Sequence, residues 1–100
     1  MRVALTARHF HLSQDIGRVA ERRAGFALGR FAGRVGDVRL RVARGKGAVA
    51  CVATAQLLPG HLLSVHAAAA TVESAIADAC ERLRLRIVRV LGRRRDRARG

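Results

Sequence analysis

The stretch "DVRLRVARGKGAVACVATAQLLPGHLLSVHAAA", residues 37–69, contains three apolar runs separated by two turn signals. In the first run, 37–44, alternation is strict: Val38, Leu40 and Val42 point one way and Arg39 and Arg41 the other. A period of two is the mark of a half-buried strand, here with a cationic outer face. Gly45-Lys46-Gly47 is a turn, and 48–58 is the next strand, with Cys51, Ala53, Ala55 and Leu57 on one face and Thr54 and Gln56 on the other. Pro59-Gly60 is a second turn signal, followed by a strand over 61–69 with Leu63, Val65 and Ala67 inward. The runs on either side of Pro59-Gly60 read as a hairpin.

Helices are expected on both sides of this block. Upstream, the short apolar run 2–7 with its β-branched members predicts a first strand. Ser13 then caps a helix, Asp15 lies in the positive first turn, and Leu12 precedes as a hydrophobic staple. The helix is expected to reach Phe31 or Ala32, with Ile16, Ala20, Ala27 and Phe31 on one face and Val19 and Phe26 beside them. Gly17, Gly25 and Gly29 weaken it by about 1 kcal/mol each relative to alanine, so it leans on tertiary packing. Downstream, Thr71 caps a second helix in which Val72, Ile76, Ala79, Leu83, Ile87 and Val90 form one apolar stripe, with Cys80 at its edge. The order is β-α-β-β-β-α, an α+β fold with one mixed four-stranded sheet and both helices on one face.

One hundred residues allow one domain with a single core, and 50% of them are hydrophobic. The formal net charge is +13, from 20 basic and 7 acidic residues. Nineteen of the basic residues are arginine, Lys46 being the exception. A guanidinium binds phosphate through two parallel hydrogen bonds and stacks on bases, so this balance favours a nucleic-acid partner. Biased genome composition accounts for arginine in place of lysine but not for the excess of positive charge. On the second helix Arg82, Arg86, Arg89 and Arg93, spaced four, three and four, form a row flanking the apolar stripe. Capping of the helix dipole explains Arg93, Arg94 and Arg95 but fades within the last turn, leaving the upstream row for RNA contact. Arg18, Arg22, Arg23, Arg30 and Arg34 add charge on and after the first helix. Residues 1–92 are read as the folded domain and 93–100 as an arginine-rich, flexible tail, with Arg97 and Arg99 making non-specific phosphate contacts.

Other chemistry finds little support. The chain has three phenylalanines and no tryptophan or tyrosine, and none of the three falls on an expected strand. A sheet platform that stacks single-stranded bases is therefore disfavoured, and folded RNA read through its backbone and shape is favoured. His9, His11, His61 and His66 lack the ligand spacing of a zinc site. Cys51 and Cys80 have no adjacent base or Cys-x-x-Cys partner, and read as small core residues of a reduced protein. No catalytic residue, metal site, cofactor or small-molecule substrate is expected. No apolar run reaches the roughly 18 residues of a membrane span, and the N-terminus lacks the apolar core of a secretory signal, so the expected compartment is the cytoplasm. Leu85 and Val88 point away from the stripe, on the side of Glu81 and Arg84. They are read as ordinary exposed apolar residues, with a small protein-contact patch as the alternative.

Three strings in this order carry a family resemblance: "VALTARHFHLSQDI" (3–16), "VATAQLLPGHLLSVHA" (52–67) and "TVESAIADACERLRLRIVRVL" (71–91). The chain resembles the ribosome hibernation promoting factor family, also called the ribosome-associated inhibitor or sigma-54 modulation protein family. It departs from the family pattern at Ala68–Ser74, where the family has an acidic and an aromatic residue, and in using arginine where the family has lysine. The resemblance implies a fold like that of double-stranded-RNA-binding domains. It implies binding to the small (30S) ribosomal subunit and the 70S ribosome, in the channel of mRNA and tRNA, with translation inhibited and idle ribosomes preserved under stress. It places Arg22, Arg23, Arg30, Arg82, Arg86, Arg89 and Arg93 against ribosomal RNA. It also implies that a chain without the second domain of long members does not dimerise ribosomes by that route. The reading set against it is a general basic RNA- or DNA-binding protein of the same fold.

Overall fold

A computed structural model of the protein describes residues 1–8 and 12–99. The readings that involve His9, Phe10 and His11 lie outside the described residues. The elements follow the expected order: β1 (Arg2–Arg8), α1 (Gln14–Leu28), β2 (Val35–Arg44), β3 (Val49–Leu57), β4 (His61–Ala69) and α2 (Val72–Arg99). The strands form one sheet in the order β1-β2-β3-β4. β1 and β2 are parallel, with Leu5 beside Leu40, and the other two pairings are antiparallel. The parallel pair requires α1 as its crossover, because two parallel strands cannot be joined by a tight turn.

The alternation in 37–69 translates directly into burial. Val38, Leu40 and Val42 of β2, Cys51, Ala53, Ala55 and Leu57 of β3, and Leu63, Val65 and Ala67 of β4 are all buried on the face covered by the helices. Arg39, Arg41, Gln56 and Ser64 stand exposed on the opposite face. Gly47 closes the turn between β2 and β3 with φ of 73°, a left-handed conformation that favours glycine. At the other end of β3 the Leu58 amide donates to the Arg34 carbonyl at 2.8 Å, tying the β3–β4 turn to the end of the α1 connection.

Both helix starts are capped as expected. The Ser13 hydroxyl accepts from the Ile16 amide at 3.3 Å, and the Thr71 hydroxyl accepts from the Ser74 amide at 3.1 Å. α1 ends earlier than the spacing predicts. At Gly29 the chain tightens into a 3₁₀ turn through Phe31, which carries the Phe31 ring into the core. The buried face of α1 consists of Ala20, Ala24, Ala27 and Leu28. Phe26, expected beside that face, is 91% exposed. It lies roughly 140° round the helix from the centre of that buried stripe, at 3.6 residues per turn.

α2 buries Val72, Ala75, Ile76, Ala79, Cys80, Leu83 and Ile87, and Val90 and Leu91 pack partly against the core. Cys80, expected at the stripe's edge, is fully enclosed. The helix is continuous through the segment read as a tail, as far as Arg99. Among the described residues no helix is long and apolar enough to cross a membrane.

Candidate nucleic-acid interface

β4 is an edge strand, and α2 runs beside it. Between them lies an open groove of about 380 Å³, lined by Ser64, Val65 and His66 of β4 and by Arg82, Leu85, Arg86 and Arg89 of α2. Three of the four arginines in the expected row thus share one groove. Arg93 is exposed one turn further along the same side of the helix. Arg82 also serves the sheet, because its guanidinium donates to the His66 carbonyl at 2.7 Å and occupies an acceptor on the open edge. Arg86 and Arg89 carry no hydrogen bond or ion pair to other described residues, so their donors are free for a ligand.

The first-helix arginines lie elsewhere. Arg30 belongs to a second groove, of about 490 Å³, with Arg34, Arg94 and Arg95 and an apolar floor of Phe31, Val88 and Leu91. Its guanidinium sits 4.9 Å from the centre of the Phe31 ring, an attractive cation–π geometry. Arg22 and Arg23 line a third recess, of about 260 Å³, with Val19, Phe26 and Glu73. Six of the seven expected contacts therefore fall into three clusters on the helical side of the molecule, and Arg93 lies on α2 beyond the first of them. Arg39 and Arg41 face away from all three, on the open sheet surface with Asp37.

Arg94 is the residue that sequence reasoning missed. Its position in the arginine-rich end of the chain reads as tail, yet its guanidinium donates to the Leu58 carbonyl at 2.7 Å and clamps the β3–β4 turn. The signal was present, because Arg94 follows Ile87 by seven residues and so continues the buried stripe of α2. Leu85 and Val88 are also part of the basic surfaces: Leu85 lines the β4 groove and Val88 the Arg30 groove. Arg84 is engaged with Glu81 through two hydrogen bonds, one of 3.0 Å, which hold the Glu81 carboxyl below its usual range. Burial pushes the Cys51 thiol up to about 12 and the Cys80 thiol up to about 11, so both are neutral, non-nucleophilic core groups. Among the described residues no cluster of three or more His, Cys, Asp or Glu could hold a metal ion.

A family model described as sigma 54 modulation protein / S30EA ribosomal protein matches residues 3–95. The chain belongs to that family. Its fold is shared with solved structures at low identity. A ribosomal subunit interface protein from Coxiella burnetii superposes with a TM-score of 0.80 at 13% identity, covering 92% of this chain and 99% of that one. The Protein Y N-terminal domain of Thermus thermophilus gives 0.78 at 20% identity, covering 90% and 99%. No curated protein matches the chain. Membership of the sigma 54 modulation family spans all six elements, since the match starts in β1 and ends in the last turns of α2.

Proposed function

We propose that this protein is a ribosome-associated translation inhibitor that binds ribosomal RNA of the small subunit in the mRNA and tRNA channel and preserves idle ribosomes under stress. The observation that carries the reading is the unpartnered pair Arg86 and Arg89 beside Arg82 in the β4 groove, within a chain of the sigma 54 modulation family. Guanidinium groups spaced along one side of a rigid helix match a phosphate backbone, and they bind shape rather than sequence. The Arg30, Arg34, Arg94 and Arg95 groove extends the basic surface toward the end of α2 and supplies further phosphate contacts. The names of the two similar structures, a ribosomal subunit interface protein and Protein Y, support the same partner. No catalytic step or cofactor is part of this function, and action in the cytoplasm follows from a ribosomal partner.

The deciding experiment is co-sedimentation with purified ribosomes and separated subunits at near-physiological salt, with tRNA as competitor. Saturable binding to the small subunit, near one copy per particle and displaced by tRNA, supports the proposal. Unsaturable binding, equal on both subunits and indifferent to tRNA, replaces it with the general RNA-binding reading.

A further inference from the structure

Phe26 is the most exposed large hydrophobic side chain among the described residues, at 91%. It stands on α1 with Val19, Arg22 and Arg23, at the spacing i, i+3, i+4 and i+7 that puts four residues on one helix face. Across the recess is Glu73, in the first turn of α2. Arg30 lies over the buried Phe31 ring, whereas the Phe26 ring stands open to solvent, with no guanidinium over it among the described residues. A free aromatic ring, two cations and one carboxylate at its rim are thus held together by two helices packed side by side.

We infer that this recess binds one unpaired RNA nucleotide. Its base stacks on Phe26, its phosphates pair with Arg22 and Arg23, and an exocyclic amine of the base donates to Glu73. Each element has a separate physical reason. Every base offers a π-face, and stacking on a protein ring works without a dedicated pocket. Two guanidiniums suit the flanking phosphates. A carboxylate accepts from the amino group of cytosine or adenine and repels the carbonyl oxygen of uracil at the same position. The inference rests on the RNA-binding reading above and adds to it a base-contacting site on α1, separate from the arginine row on α2. An acidic protein segment would satisfy Arg22 and Arg23 but would leave Glu73 facing like charge.

The chain has no tryptophan, so Phe26→Trp introduces a single indole whose fluorescence reports contact at this position alone. Short homopolymeric RNAs of A, C and U are titrated at near-physiological salt. Saturable quenching is expected, several-fold tighter for A and C than for U, and Glu73→Gln in the same background levels the three. Labelled oligo-C is expected to bind Phe26→Ala about tenfold more weakly than the unmodified protein, within the range for loss of one stacked base. An indole left unquenched by all three RNAs, or unchanged oligo-C affinity in Phe26→Ala, overturns the inference. An A, C and U order unmoved by Glu73→Gln overturns the part assigned to the carboxylate. The titration contains no ribosome. Small-subunit binding with an unquenched indole refutes this site and leaves the proposed function standing, and the opposite pair of results does the reverse.

Discussion

Reversing the charge of Arg86 and Arg89 together separates binding from folding. Each Arg→Glu substitution alters the charge by two, so the pair takes the formal net charge from +13 to +9. Both side chains are exposed in the β4 groove and neither is bonded to another described residue. The expected change in folding stability is therefore within about 0.5 kcal/mol. Binding is another matter. Each lost phosphate contact lowers the slope of log K against log salt by about 0.7 to 0.9, so two contacts lower it by about 1.5. Over a fourfold change in salt that slope difference alone is about eightfold in affinity. The assay is co-sedimentation with small subunits at several salt concentrations, beside thermal melts followed by circular dichroism. Arg82→Ala is the informative contrast. It removes the hydrogen bond to the His66 carbonyl and is expected to lower the melting temperature as well as the affinity. An unchanged salt slope for Arg86→Glu with Arg89→Glu, in a protein with an unchanged melt, would refute the assignment of this groove.

Three further outcomes are expected. Leu83→Ala leaves a cavity beneath α2 at a fully buried position and costs about 2 to 5 kcal/mol, read from urea unfolding. Arg94→Ala removes the clamp on the Leu58 carbonyl and costs about 1 kcal/mol, discounted for partial exposure, with faster amide exchange in the β3–β4 turn as its local signature. Both thiols ionise near 9 in the unfolded chain but at about 12 and 11 in the folded one. Stability is therefore intact below pH 9 and falls as pH rises from 9 toward 11, by up to about 1.4 kcal/mol per pH unit per thiol. Cys51→Ala with Cys80→Ala is expected to flatten that decline, measured by chemical denaturation across the range.

Local periodicity determined most of this fold. Alternation over 37–69 assigned the buried side of β2, β3 and β4 residue by residue, and the stripe from Val72 to Val90 assigned the inner face of α2. Those features are local because a strand turns its side chains every two residues and a helix every 3.6, whatever lies opposite. The arginine row was legible for the same reason: its spacing of four, three and four needs only a helix. Its near wall was not, because β4 becomes the edge strand only when the sheet takes the order β1-β2-β3-β4. The tertiary structure alone decided three things. Arg82 reaches the His66 carbonyl, and Arg94 reaches the Leu58 carbonyl, because α2 runs beside one sheet edge and past one turn. Phe26 faces outward because α1 packs on its alanines, Ala20, Ala24 and Ala27. Each depends on a neighbour distant in sequence, which a one-dimensional pattern does not identify.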